Sequence, residues 1–198
     1  MLASMKKVVS SKDSRPILKY IHYSEDGKAT ATDSHALLQL DHANPTGVDF
    51  LFEPNLFEIK EQENVGSYPD TSRLIPEEFE SNFTVSAYAV VNLAQQVKAV
   101  PNGWLIDFEY SENHINAAAY DRLNPDTKIE LSIPVGADGG AKFEVTINAQ
   151  LFKNAITFFS DYLENNDVLT IGYMGQPFRP VLFSAKDAKY LVTPIRKF

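Results

Sequence analysis

An α+β architecture, built from repeated units of one helix and several antiparallel strands, is what the sequence predicts. Three observations carry it. The 198 residues are 44% hydrophobic and 12% aromatic, enough to bury a substantial core in one large domain or two small ones. HYSEDGKATATD (22–33) and EYSENHINAAAYD (109–121) share one pattern: a strand, a Ser-Glu-Asp/Asn turn, and a second strand of small residues closing on Asp. Each of these follows a segment with helical spacing, and a third such segment precedes three further strand candidates.

The first helical segment is LASMKKVVSS (2–11). The second is SAYAVVNLAQQVKAV (86–100), with Ser86 as its cap and Pro101-Asn102-Gly103 as its stop. Ala87, Val90, Val91, Ala94 and Val97 recur along it at the spacing of a buried stripe. The third copy opens with the alternating strand FEVTI (143–147). Asn148 caps the helix AQLFKNAITFFSDYL, whose buried stripe is read as Leu151, Phe152, Ala155, Ile156 and Phe159. Strands are expected around VLTIGYM, RPVLFSA and KYLVTPI, the last running into a proline and the basic Arg196-Lys197. No such helix covers its apolar stripe alone, so each has to pack on a sheet. The stretch 42–82, rich in Pro, Asn and acids, reads as short strand pieces and a linker. It puts a boundary near 76–82 and divides the chain into 1–78 and 79–198.

The net charge of −8 argues against a protein that holds nucleic acid through uniform basicity, although Lys6, Lys7, Lys12 and Arg15 cluster locally. The absence of cysteine removes disulfides, thiolate metal sites and cysteine nucleophiles together. No run has the length of a membrane span, and the N-terminal stretch places its lysines after a very short apolar segment, the wrong order for a secretory signal. A cytoplasmic location is expected. His22, His35, His42 and His114 are scattered without metal spacing. Asp33 and His35 alternate on a strand, but no motif brings them a nucleophile. The glycines of PVGADGGAKF precede a strand, which suits a hairpin turn and not a phosphate cradle. The sequence thus points to no catalytic constellation, no metal and no cofactor.

Three separated stretches then resemble one family, the bacterial replicative sliding clamp, the beta subunit of DNA polymerase III. SRPILKYIHYSEDGKATATDSHALL (14–38) is similar to its Arg-Pro-x-Leu strand followed by Ala-Thr-Asp-Gly-His-Arg-Leu. YPDTSRLIP (68–76) is similar to its Phe/Tyr-Pro-Asp-x-x-Arg-Val/Leu-Ile/Leu-Pro connector, and YLVTPIR (190–196) to its Tyr-x-x-Met-Pro-Met/Val-Arg ending. Residues 68–198 resemble the family's whole last domain. Residues 1–66 resemble the first half of its middle domain with the second half shrunken, and nothing resembles its first domain. The resemblance is to a shortened, phage-like member of the family with a DNA-clamp fold, its helices packed on one face of curved sheets.

That resemblance implies a groove between the last two domains that takes a short linear motif of polymerases and other replication proteins. Carried over by position, its lining is Leu18, Thr32, Ser34, His35, Leu37, Pro69, Arg73, Leu74, Leu191, Val192, Thr193, Pro194, Ile195 and Arg196. Leu18, Leu37, Leu74, Val192 and Ile195 would offer an apolar slot, worth roughly 1.5 to 3 kcal/mol for each partner side chain fully buried there. Two anchors less their ordering costs give binding of about micromolar strength. Pro69 and Pro194 would stiffen the walls, and Arg73 and Arg196 would meet peptide carbonyls or a carboxylate. Ser34 and Ala36 stand where the family has Gly and Arg, and Thr193 replaces a Met, so the peptide preference is expected to differ.

The resemblance also implies duplex DNA as a partner, met by cations on the inner helices: Lys6, Lys7, Lys98 and Lys153, with Lys12 and Arg15 nearby. Family rings close by joining the first domain of one subunit to the last domain of another. A chain without that first domain has to close through another surface, assemble more copies, or stay open. The expected function is a processivity factor, with encirclement of DNA by a homo-oligomer left open. The alternative is a non-encircling adaptor or decoy that keeps only the peptide groove.

Overall fold

A computed structural model describes residues 1–137 and 141–196. Asp138, Gly139, Gly140, Lys197 and Phe198 lie outside the described residues. The chain forms two compact units, one of Met1–Ile75 with Lys186–Leu191, the other of Pro76–Ala185 with Val192–Phe198.

In the first unit the opening helix α1 (Leu2–Lys6) is shorter than its apolar pattern suggests. It gives way at Val8-Val9-Ser10-Ser11, where β-branched residues and serines are poor helix formers. Its buried Met5, and Val8 just beyond it, still point into the core. Strands β1 (Ile21–Tyr23), β2 (Ala29–Thr32) and β3 (Ala36–Leu40) then run antiparallel, with His22 opposite Thr30 and Ala31 opposite Leu38. Every residue of β2 and β3 is buried, as expected of strands covered on both faces.

The segment read as short strand pieces and a linker holds its strands as a hairpin, β4 (Phe50–Glu53) and β5 (Glu58–Lys60), followed by a short helix, α2 (Gln62–Val65). Strand β4 pairs with β1 through Ile21–Phe52 and Tyr23–Phe50. Late in the chain β14 (Ala188–Val192) returns to lie beside β3, giving the order β14-β3-β2-β1-β4-β5. The Asp41 amide donates to the Asp187 carbonyl (2.8 Å) and Lys189 pairs with the Asp41 carboxylate (3.1 Å).

The second unit is built on α3 (Ala87–Gln96) and α4 (Ala149–Tyr162), which pack together. Ser86 Oγ accepts the Ala89 amide and Asn148 Oδ1 accepts the Gln150 amide, the capping roles that the sequence assigned. The buried stripe of α3 is Ala87, Val90, Leu93 and Ala94, continued by Val97. Val91, expected in that stripe, is 41% exposed. At about 100° per residue the buried positions centre on an arc that includes Leu93 and leaves Val91 roughly 100° away. On α4, Leu151 is only half-buried and Phe158 joins Phe152, Ala155, Ile156 and Phe159 in the core.

Around these helices β6 (Ser81–Ser86), β10 (Gly136–Ala137), β12 (Val168–Tyr173) and β13 (Val181–Ala185) form the order β10-β6-β12-β13. The remaining strands, β7 (Leu105–Ser111), β8 (His114–Tyr120), β9 (Lys128–Pro134) and β11 (Glu144–Asn148), form a four-stranded sheet, β11-β7-β8-β9. Glu112 and Asn113, both at positive φ (49° and 63°), make the tight turn between β7 and β8. An aromatic chain fills the core: Phe108 against Phe152 (4.8 Å), Phe143 against Tyr173 (5.1 Å) and against Phe83 (5.4 Å).

Candidate functional site

In the second unit the four-stranded sheet turns one face away from the helices. Side chains alternate across a strand, so Ile106 and Phe108 face the core while Asp107 and Glu109 face outward. The register extends this outward face over every strand: Asp107 lies opposite Ala118 and Thr146, Glu109 opposite Asn116 and Glu144, and Ala118 opposite Glu130. The centre of the face is fixed by Asp107 Oδ1, which accepts the Thr146 hydroxyl (2.7 Å) and the Tyr120 hydroxyl (3.3 Å).

A cleft of about 1020 Å³ opens over this face, with Ile195, Arg196, Pro177 and Phe178 along its lining. The carboxy-terminal segment is secured by backbone: the Ile195 amide donates to the Thr146 carbonyl at 2.8 Å, extending the edge of β11 by one ladder bond. The Arg196 guanidinium sits 5.7 Å from the centre of the half-exposed Phe178 ring, a cation–π contact. Val192 is buried, Thr193, Pro194 and Ile195 are half-buried, and Arg196 is exposed. Sequence reasoning placed Ile195 and Arg196 in a binding wall, but missed Phe178 and the polar floor. An available signal was GQPFRP, an aromatic between prolines in a turn.

The remaining expected lining lies in the first unit. Leu18 is buried in a cluster with Leu51 and Tyr68, and Leu37 and Leu191 are buried as well. Thr32, Ser34 and His35 form a tight corner between β2 and β3. Thr32 Oγ1 donates to the Ala36 carbonyl (2.7 Å) and accepts the Ser34 amide (3.1 Å), and Asp33 Oδ1 accepts the amides of His35 and Ala36 (both 2.8 Å). Ser34 holds φ +79°, the left-handed region that a glycine would occupy more freely. Pro69, Arg73 and Leu74 are exposed, Leu74 by 53%.

The connector that bears Pro69 is tied down by a polar cluster absent from the sequence reading. The Tyr68 amide donates to Gln62 Oε1 (2.9 Å), which turns the Gln62 amide nitrogen toward Asp49 (2.5 Å). His22 Nε2 meets the other Asp49 oxygen at 2.9 Å and its ring stacks on Tyr68 at 4.9 Å. Asp49 accepts the proton of His22 Nε2, so the 3.1 Å approach of Gln62 Nε2 to that nitrogen is a packing contact. Burial pushes the Asp49 carboxyl up, but the hydrogen bonds from Gln62 and His22 outweigh it and hold it below the usual carboxylate range.

No protein-family model matches this chain. It is 26% identical over 238 aligned positions to the beta sliding clamp of Streptococcus pneumoniae, an alignment covering 94% of this chain and 59% of that protein. The chain therefore spans about three fifths of the length of the curated relatives it matches. The crystal structure of the Caulobacter crescentus beta sliding clamp superposes with a TM-score of 0.75 at 15% identity, covering 99% of this chain and 63% of the other. The DNA polymerase III beta chain of Streptococcus pneumoniae gives 0.74 at 20% identity with the same coverage.

The fold is that of a sliding clamp. Within this clamp fold the expected DNA-facing cations differ in how they are held. Lys6, Lys7 and Lys12 are exposed in the first unit, and Arg15 donates to Ser34 Oγ (2.5 Å). In the second unit Lys98 reaches Gln95 (2.6 Å) on the surface of the helical segment. Lys153 turns back from α4 to the Val100 carbonyl (2.8 Å) and Asn102 Oδ1 (2.9 Å), so its ammonium fastens the loop before β7. Among the described residues no group of three or more His, Asp or Glu is placed to hold a metal ion, and no helix is long and apolar enough to cross a membrane.

Proposed function

We propose that this protein is a sliding-clamp-like replication accessory that takes short linear motifs of polymerases and other replication proteins and tracks double-stranded DNA in the cytoplasm. The observation that carries the reading is the carboxy-terminal wall. Ile195 is hydrogen-bonded to β11 and Arg196 is set over Phe178, so the segment forms a fixed side of a cleft. The clamp fold supports the DNA side, with Lys6, Lys7, Lys12 and Lys98 as the cations offered to phosphates. Binding such a motif requires no catalytic group or cofactor.

The test is a fluorescence-polarisation titration with a labelled peptide carrying a Leu-Phe anchor pair, alongside the protein's mass in solution by light scattering. Saturable binding of about micromolar strength, together with a closed dimer, trimer or tetramer, is the expected result. Absence of peptide binding overturns the reading. One observation favours the alternative, an adaptor or decoy that does not encircle DNA: Lys153 and Arg15 spend their charges on Val100, Asn102 and Ser34. A strict monomer at high concentration that still binds peptide would select that alternative.

A further inference from the structure

Glu144 on β11 stands directly opposite Glu109 on β7, and both carboxylates are exposed on the floor of the cleft. Like charges placed opposite each other across a sheet destabilise it. Nothing among the described residues pairs with these carboxylates: no ion pair is formed by Glu109 or Glu144, nor by Glu130 two strands away on β9, and the cation in the cleft's lining, Arg196, is set over Phe178. Beside the pair the lining turns apolar: Ile195 is bonded to Thr146, two residues along β11 from Glu144, and Pro177 and Phe178 line the cleft with it. The cleft thus joins an unneutralised acidic floor to a hydrophobic rim, and a local rule broken without internal compensation is what a binding face shows.

We infer that this cleft docks an extended segment of a partner protein carrying an arginine or lysine next to a hydrophobic residue. The hydrophobic side chain lies against Phe178 and Ile195, and the cation lies between Glu109 and Glu144. An extended segment suits the space because its alternate side chains are about 6.8 Å apart, the same step that separates Glu144 from Thr146, to which Ile195 is bonded, along β11. The same features disfavour nucleic acid, whose phosphates would meet carboxylates. The inference rests on the reading of Ile195 and Arg196 as a peptide wall and adds the chemistry of the segment flanking the anchors: basic, read by the sheet face.

Two labelled peptides test it on the full chain: a Leu-Phe anchor followed by Gly-Arg-Gly-Arg, and the same anchor followed by Gly-Ser-Gly-Ser. The basic probe is expected to bind about five- to tenfold more tightly at low salt, with the advantage shrinking at high salt. The double variant Glu109→Gln, Glu144→Gln is expected to remove that advantage, so that the basic and neutral probes bind alike. Its melting temperature should be equal to or above that of the parent, because the repulsive pair is gone. Equal binding of the two probes to the parent overturns the basic-segment inference and leaves the peptide wall standing, whereas failure of both overturns the wall and the inference together. A rise in mass with concentration that the double variant abolishes would assign the cleft to a second copy of the chain, which also overturns the inference.

Discussion

Replacing Pro194 and Ile195 together with alanine tests the wall where it is thinnest. The exchange at 195 removes three carbons, worth about 0.8 kcal/mol each when buried. Ile195 is already half-buried in the free protein, so only about half of that, roughly 1.2 kcal/mol, is gained when a peptide covers it. Removing the ring at 194 frees the backbone of the wall at a further cost of about 0.4 to 1 kcal/mol. The sum, roughly 1.6 to 2.2 kcal/mol, weakens peptide binding by about 15- to 40-fold, carrying a micromolar complex beyond the range of a dilute polarisation assay. The Ile195 amide survives in the variant, so its bond to the Thr146 carbonyl is retained. Loss of about 1 kcal/mol of packing should lower the melting temperature by roughly 2 to 4 °C in a chain of this size. A change in affinity below threefold with the melting curve shifted as stated would refute the assignment.

Lys153→Met should cost about 1 to 2 kcal/mol of stability through loss of the bonds to Val100 and Asn102, yet change affinity for duplex DNA less than twofold. The triple exchange Lys6→Gln, Lys7→Gln, Lys12→Gln should instead weaken DNA binding and lower its salt slope by about 1 for each phosphate that is no longer neutralised; electrophoretic mobility shifts across a salt series read both. Asp49 has a folded pKa below its unfolded value, so it contributes stability above pH of about 4 that is lost as the pH falls through the folded pKa. Thermal melts between about pH 5 and about pH 3 should show a shallower acid limb for Asp49→Asn than for the parent.

The sequence revealed most where one element decides its own structure. Ser86 and Asn148 cap their helices because a side-chain oxygen and an amide two or three residues away are enough. The strand–turn–strand repeats are equally local, since Glu112 and Asn113 adopt the left-handed region that a two-residue turn needs. Errors arose where burial depends on a neighbour. Val91 and Leu93 are both compatible with a helical stripe, and only the packing partners of α3 select Leu93. In the stretch from 42 to 82 the short strand pieces were legible, but not their place beside β1, which is held by His22, Asp49 and Gln62, residues as much as 40 positions apart. The acidic floor was illegible for the same reason. Glu109 and Glu144 come from different strands, and no periodicity within either announces that the register sets them face to face.

The most direct measurement is a map of backbone amide shifts in the isotope-labelled full chain as the anchor peptide is titrated. The largest shifts are expected on Val145, Thr146, Phe178, Ile195 and Arg196, which meet at the cleft. Saturable binding that leaves these amides unmoved would be incompatible with a peptide wall at the carboxy-terminal segment.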